Sequence, residues 1–156
     1  MNPSQPLSGV IEAGAHRLMV RVYYEDTDFT GVVYHANYLK FFERGRSDCL
    51  RLLGVHHHEL QGHAEKLAFA VVHMDIRFLR PAGIDDIVTV TTRMTDLRGA
   101  QFFLEQVCER DGVRLCEARI DIACINGEGA PRRLPKALAE ALAPLRVPRS
   151  DAEKPA

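Results

Sequence analysis

Apolar and polar residues follow two different periods along this chain, and the change between them predicts its architecture. Residues 16–24 alternate apolar with charged or polar side chains, which predicts a half-buried strand. Over residues 38–53 the apolar positions recur instead at helical spacing, with charged residues on the other faces. Gly54 follows directly, as is common at the end of a helix. A strand followed by a long amphipathic helix is therefore expected in the first third of the chain.

From residue 67 onward the period is two. Four strands are predicted, over residues 67–79, 86–95, 101–110 and 113–125. The pair Asp111-Gly112 between the last two strands is typical of a two-residue hairpin. A short helix over residues 135–145, interrupted near Pro144, is expected to follow. Because the strands are joined by short turns, the order predicts an antiparallel α+β fold.

The chain is expected to form one compact domain. Its 156 residues are an ordinary length for a single domain, with no repeat or internal linker. Residues 1–15 are rich in Pro, Ser, Gly and Ala and are predicted to be a loose leader. Residues 146–156 are predicted to be a loose tail, which leaves 16–145 as the folded domain.

Composition argues against nucleic acids and membranes as partners. The net charge is −1, with 20 basic and 21 acidic residues, so neither nucleic acid nor an anionic membrane is favoured. The longest apolar run, residues 67–72, is far shorter than the roughly 20 residues of a transmembrane span. Residues 1–6 show neither the basic nor the apolar region of a signal peptide. We therefore expect a cytoplasmic protein without a transmembrane segment.

Neither the cysteines nor the histidines predict a metal site. The cysteines stand in apolar contexts without a C-x-x-C pair, which favours reduced core thiols over a zinc site or disulfides. They are Cys49, Cys108, Cys116 and Cys124. His56–His58 and His63 lack a Cys or an acid to complete a ligand set, so a polar loop or a short helix face is expected.

Residues 23–38 concentrate the groups that can carry chemistry. Acids, tyrosines and a histidine lie between the end of a strand and the start of the long helix. The N-terminus of that helix offers free backbone N–H groups that could hold an oxyanion, and Asp28 precedes it closely. A carboxylate facing such donors is sufficient for acyl transfer to water. Spacing alone leaves the alternatives open: Asp26 and Asp28 suit turn or capping roles, and His35 suits a local hydrogen bond.

This segment and its helix resemble the YbgC-type acyl-CoA thioesterases, a branch of the 4-hydroxybenzoyl-CoA thioesterase hotdog family. The resemblance is carried by Y-E-D-T-D at 24–28, G-V-V-Y-H at 31–35 and E-R-x-R at 43–46. Weaker matches continue through R-P-A at 80–82 and L-R-G at 97–99. In all, it covers roughly residues 17 to 140 of the chain.

The resemblance implies a hotdog fold, in which a curved antiparallel sheet of five or six strands wraps around a long central helix. It also implies a homo-oligomer whose subunits pair their sheets side by side as dimers, commonly assembled into tetramers. The active sites of this family lie at the dimer interface, so each requires both chains. This branch is associated with the Tol–Pal envelope cluster, which suggests a partner role beside catalysis.

The resemblance also assigns site residues. The catalytic carboxylate corresponds to Asp28, and the backbone N–H that polarises the carbonyl lies near His35. The side chains of Tyr24 and His35 match positions that line the site. The turn between them is expected to contact the substrate through Gly31, Val32, Val33 and Tyr34.

Other charged residues have less certain roles. Arg98, Arg132 and Arg133 could contact the phosphates of CoA or could be ordinary solvated charges. A second branch of hotdog thioesterases uses a glutamate on the long helix as its base, which makes Glu43 or Asp48 an alternative to Asp28.

The predicted reaction is hydrolysis of an acyl-CoA, or of an acyl group on acyl carrier protein, to the free acid and the thiol. It requires no metal or redox cofactor. Two alternatives remain: a hotdog dehydratase or hydratase acting on acyl thioesters, and a non-catalytic acyl-CoA or acyl-carrier-protein binding partner of an envelope complex.

Overall fold

The computed structural model describes residues 7–55 and 65–147. Within them are six strands and two α-helices, and every element after the first strand follows the predicted order. Their bounds are β1 Val10–Glu12, β2 Ala15–Arg21, α1 Asn37–Leu52, β3 Leu67–Phe78, β4 Ile87–Arg98, β5 Gln101–Arg110, β6 Val113–Asn126 and α2 Lys136–Leu142.

The strands form one antiparallel sheet in the order β1-β2-β4-β5-β6-β3. Helix α1 packs on one face of it, against β1, β2, β4 and β5. The apolar face predicted for the last strand is buried along its whole length, from Cys116 to Cys124. Alternating strands bury one face, and a single amphipathic helix covers part of it. The predicted α+β hotdog architecture is confirmed.

Two segments expected to be loose instead pair with the sheet. Val10–Glu12, within the predicted leader, forms β1 and pairs with β2 through a tight turn at Ala13 and Gly14, both of which have positive φ. At the other end, the N–H of Val147 donates to the carbonyl of Met94 at 2.9 Å. Ala-Gly is not the usual hairpin signal, which is why this turn was not predicted. Residues 1–6 of the predicted leader, residues 148–156 of the predicted tail and the segment His56–His63 lie outside the described residues.

Helix α1 ends as predicted. Gly54 adopts φ +80°, and the N–H of Val55 returns to the carbonyl of Leu50 at 2.9 Å. The last carbonyls of the helix are thereby satisfied. Leu39, one of the predicted apolar positions, is not buried, since it is 40% exposed. It lies at the mouth of a groove between the helix and the sheet.

Gly45 allows helix α1 to approach the sheet closely. A Cβ at this position would lie 2.8 Å from Cγ1 of Val90 and 3.1 Å from Nε2 of Gln106. The helix could accommodate a methyl group only by moving away from β4 and β5. The absence of a side chain therefore outweighs the roughly 1 kcal/mol by which alanine favours a helix over glycine.

We expect Gly45→Ala to destabilise the protein by about 1–3 kcal/mol, the usual scale of overpacking. Urea unfolding followed by circular dichroism measures this change. Gly127→Ala is a matched control, because its new Cβ meets no atom within 4 Å. A Gly45→Ala protein as stable as the parent would show that the helix is not held this close to the sheet.

Candidate active site

Asp28 lies in a tight hairpin between β2 and α1. Its N–H donates to the carbonyl of Val32 at 2.8 Å, and its carbonyl accepts the N–H of Gly31 at 3.0 Å. Gly31 has φ +84°, a conformation in which an L side chain is strained. A bridge between Thr27 and Val33 closes the hairpin, and a bridge from Val32 to Gly83 attaches it to the segment before β4. The backbone that carries Asp28 is thus fixed by main-chain hydrogen bonds.

The carboxylate of Asp28 is partly exposed and held in one orientation. Its Oδ1 accepts the N–H of Thr30 at 2.8 Å and the hydroxyl of the same residue at 2.6 Å. These bonds, with a smaller contribution from nearby His35, hold the pKa of Asp28 below its ordinary value of 3.8. A backbone hydrogen bond from Val32 lowers this pKa further. At neutral pH the group is therefore an anion that is held within its own turn.

Helix α1 begins with backbone donors that are not used. The N–H of Asn37 closes a turn onto the carbonyl of Tyr34 at 2.7 Å. For His35 and Ala36, no hydrogen-bond acceptor of the N–H is found in the part of the chain that the structure describes. The N-cap residue is Ala36, which has no side-chain acceptor to occupy them. Two free N–H groups therefore lie at the positive end of the helix dipole.

The ring of His35 is exposed but packed between aromatic residues. It stands 4.6 Å from the ring of Tyr34 and 5.9 Å, edge-on, from that of Phe78 at the end of β3, measured between centroids. A shallow cavity of about 280 Å³ adjoins these rings. It is lined by Val33, His35, Tyr38, Phe78, Leu79, Arg80 and Pro81. Strand β3 thus contributes a wall that no motif near residue 28 indicates.

Asp26 has a structural role, one of the alternatives that the sequence left open for both Asp26 and Asp28. It is only 3% exposed. Its Oδ2 accepts the N–H of Tyr23 at 2.8 Å, and its Oδ1 accepts Nδ2 of Asn37 at 2.6 Å. The N–H of Tyr34 donates to its carbonyl at 2.9 Å. Asp26 therefore ties the end of β2 to the first residue of α1, on either side of the Asp28 hairpin.

The other residues of the predicted site differ in exposure. Tyr24 begins a 3₁₀ turn and is 83% exposed, so its ring is available to a ligand. Tyr34 and Gly31 are exposed and Val32 is half-buried. Val33 is 4% exposed and belongs to the core, so its contribution is confined to the backbone.

Within one chain, Arg98 and Arg133 lie far from Asp28. The end of β2 pairs with the start of β4, at Ile87, whereas Arg98 ends β4. Eleven residues of strand separate Ile87 from Arg98, or roughly 35 Å at the usual rise. The N–H of Leu134 donates to the carbonyl of Gly99, which places Arg133 beside Arg98. Both arginines therefore lie at the opposite end of the sheet, where Arg98 forms an ion pair with Asp96 at 2.6 Å.

The alternative bases on helix α1 are placed differently. Asp48 forms an ion pair with Arg51. Glu43 is exposed and lies on the rim of the groove beside the helix.

Three contributors to the site were not identified from the sequence: Thr30, Asn37 and Phe78. An Asp-x-Thr spacing is the signal by which Thr30 could have been found, since a hydroxyl two residues on often bonds an aspartate in a turn.

All four cysteines are buried free thiols, as predicted. Burial raises the pKa of Cys49, Cys108 and Cys116 to about 12, and it also raises that of Cys124. Thiols that are protonated at neutral pH are poor nucleophiles.

We expect each single Cys→Ser variant that folds to keep kcat within about threefold of the parent, because no thiolate takes part. Steady-state thiol-release assays check this, and loss of turnover in any one stable variant would contradict it.

Residues 7–55 and 65–147 contain neither a metal-binding cluster nor a membrane-spanning helix. No cluster of three or more His, Cys, Asp or Glu side chains there is arranged to hold a metal ion. No helix in these residues is long and apolar enough to cross a bilayer.

The chain is similar to known thioesterases in sequence and in structure. A profile of the thioesterase superfamily matches residues 30–117. The acyl-CoA thioester hydrolase YbgC of Escherichia coli is 40% identical over 126 residues, which cover 78% of this chain and 91% of that protein. The acyl-CoA thioesterase YbgC of Haemophilus influenzae is 42% identical over 118 residues, covering 75% and 86%.

A solved structure agrees with these relatives. A probable thioesterase from Bartonella henselae superposes with a TM-score of 0.75 at 52% sequence identity, covering 78% of this chain and 99% of that one. With the profile match across more than half of the chain, these similarities identify the family: the chain belongs to the thioesterase superfamily.

Proposed function

We propose that this protein hydrolyses acyl-CoA thioesters and that Asp28 is its catalytic carboxylate. The observation that carries the proposal is the pairing of an ionised, rigidly held carboxylate with two unoccupied backbone donors at the start of α1. Acyl transfer to water needs a base or nucleophile on one side of the carbonyl and oxyanion donors at its oxygen. The YbgC relatives named above carry this activity in their names.

In the proposed reaction, the thioester oxygen accepts hydrogen bonds from the N–H groups of His35 and Ala36. Asp28 either removes a proton from the attacking water or attacks the carbonyl carbon itself, giving a mixed anhydride that water then cleaves. In the first route the carbon–sulfur bond breaks and the proton taken by Asp28 passes to the sulfur. In the second route CoA leaves as a thiolate that takes a proton from solvent, and hydrolysis of the anhydride regenerates the carboxylate of Asp28. The acid and CoA are released, and no metal or redox cofactor takes part.

The side chains around Asp28 have supporting roles in this proposal. The ring of His35, fixed against Phe78, borders the space in which the thioester lies. Tyr24, with its exposed ring, borders the same hairpin. We assign both to substrate contact and the Gly31–Tyr34 turn to backbone contact with the thioester.

We propose that the active form is a dimer or a tetramer. Strand β3 pairs with β6 on one side, and no described strand pairs with its other edge. This long edge exposes Val71, Val72 and Phe78 by about half. A free edge of this kind favours pairing with another chain. A partner subunit would also allow Arg98 and Arg133, remote from Asp28 in their own chain, to contact CoA phosphates at the neighbouring site.

Light scattering coupled to gel filtration, with activity assayed across the eluted peak, tests the assembly. We expect thioesterase activity to coincide with a dimer or tetramer, since the proposed CoA site draws on two chains. An active monomer at the assay concentration would contradict this prediction.

The carrier and the cellular setting follow from the family resemblance. We propose a cytoplasmic enzyme that accepts acyl-CoA, with acyl carrier protein as a second carrier and a Tol–Pal component as a partner. Comparing hydrolysis of the same acyl group on the two carriers tests the carrier assignment.

The reaction itself is tested by incubating purified protein with decanoyl-CoA and detecting free thiol. We expect continuous turnover, with decanoic acid formed in equal amount. Crotonyl-CoA serves as the discriminating substrate, because a hydratase would add water to its double bond without releasing thiol. Stoichiometric binding of decanoyl-CoA without thiol release would favour a binding module instead.

A further inference from the structure

A cavity of about 440 Å³ lies between helix α1 and the inner face of the sheet. It is distinct from the shallow cavity beside His35, and the reaction proposed above does not account for it. Its walls come from α1, from β3 to β6, and from the C-terminal segment. Among the apolar residues that line it are Leu39, Leu50, Phe69, Met74, Leu142 and Leu145.

The cavity is a groove that begins near the proposed active site. Leu39 is in the first turn of α1, next to the free N–H groups, and Leu50 is in the last. Eleven residues of helix correspond to about 16 Å. On the opposite wall β3 ends beside His35, so Met74 lies nearer the site and Phe69 farther from it. The five residues of strand from Phe69 to Met74 also span about 16 Å, so the helix wall and the sheet wall of the groove have about the same length.

Of the polar side chains that line this groove, Lys40 and Glu43 are exposed, and Arg46 and Thr92 are both bonded to Gln106. Arg46 donates through Nη1 to Oε1 of Gln106 at 2.9 Å. The amide nitrogen of Gln106 donates to the carbonyl of Phe42 and to Oγ1 of Thr92, both at 2.9 Å. A ligand in the groove is therefore not required to supply hydrogen bonds. An apolar chain fits these walls without leaving a buried polar group unpaired.

The far end of the groove is closed by the C-terminal segment. Leu142, at the end of α2, and Leu145, in the following 3₁₀ turn, are each 1% exposed. The segment is anchored to the sheet by the bond from the N–H of Val147 to the carbonyl of Met94. The two leucines form an apolar end wall opposite the helix start.

We propose that this groove binds an aliphatic acyl chain and that Leu142 and Leu145 set the longest chain that fits. The proposal rests on the proposed function, because the chain enters from the thioester held at the start of α1. A groove about 16 Å long, open at the reacting end and closed at the other, selects medium-chain acyl groups. Longer chains meet the end wall, and shorter ones leave part of the apolar wall uncovered.

The test is the ratio of kcat/KM for palmitoyl-CoA to that for decanoyl-CoA, measured for Leu142→Ala, Leu142→Phe and the parent. Leu142→Ala makes room at the end wall and should raise this ratio about tenfold. Each additional methylene of palmitoyl-CoA that is then buried increases kcat/KM about fourfold. Enlarging the end wall should move the preference toward hexanoyl-CoA.

Leu138→Ala is the matched control. Leu138 is 4% exposed on the same helix but does not line the groove. It should lower the melting temperature about as much as Leu142→Ala while leaving the chain-length ratio unchanged. This control separates a local effect on the groove from general loosening of α2.

Three results would overturn the inference. The first is an unchanged ratio in both folded Leu142 variants, and the second is an equal change in Leu138→Ala. The third is a change of oligomeric state in Leu142→Ala without a change of ratio, which would make the groove a subunit contact. Absence of thiol release from every acyl-CoA in the parent protein would instead reject the proposed function itself.

Discussion

Asp28→Asn should lose at least about 100-fold in kcat while remaining folded and able to bind acyl-CoA. This substitution removes the negative charge and keeps the shape of the side chain. A missing general base lowers the rate by about 10² to 10⁴, and a missing nucleophile lowers it further. Stability should change by less than about 0.5 kcal/mol, because the group is partly exposed and an asparagine oxygen can still accept from Thr30.

Asp26→Asn is the control for this prediction. It removes the charge of a carboxylate that lies two residues before Asp28. That carboxylate is buried and already bonded to Tyr23 and Asn37. We expect a much smaller loss of kcat, because Asp26 positions the backbone and does not contact the substrate. A large fall in melting temperature for Asp28→Asn would favour a structural role for Asp28.

Asp26→Ala should be the most destabilising change near the site, lowering the free energy of unfolding by about 2–4 kcal/mol. Alanine leaves the N–H of Tyr23 and Nδ2 of Asn37 without their acceptor, and each buried unpaired group costs about 1–3 kcal/mol. Denaturant unfolding at neutral pH measures the loss.

Asp28→Ala provides the contrast, since its carboxylate bonds only within its own turn among the described residues. Its loss of stability should stay below about 1 kcal/mol. Asn in place of Asp26 should be tolerated better than Ala, because its oxygen accepts one bond and its amide can donate to a reoriented Asn37. Equal stability of the two alanine variants would show that Asp26 is not the tie between β2 and α1.

The architecture was predictable because each element carries a local signal. The alternation from residue 67 onward and the helical spacing over 38–53 depend on which side chains are buried, and the observed strands keep those faces. The extent of the elements was less predictable. Strand β4 continues to Arg98, three residues beyond its predicted end, through an irregularity after Met94 that interrupts simple alternation.

The site was predictable only where its residues are close in sequence. Asp28, Gly31 and His35 share one segment, so a resemblance in that segment assigned all three to the candidate site. Phe78 reaches His35 because β3 ends there, and no local pattern connects positions that far apart. The sequence could not distinguish the roles of Asp26 and Asp28, because either aspartate suits a turn. Their hydrogen bonds in the structure distinguish them: Asp26 is buried and connects two elements, whereas Asp28 bonds within its own turn.

Single-turnover hydrolysis, with enzyme in excess over decanoyl-CoA, tests the central claim most directly because product release does not limit it. We predict that Asp28→Asn reaches saturation at a protein concentration similar to that of the parent but releases thiol at least about 100-fold more slowly. Equal rates of thiol release from the two proteins would contradict the assignment of Asp28 as the catalytic carboxylate.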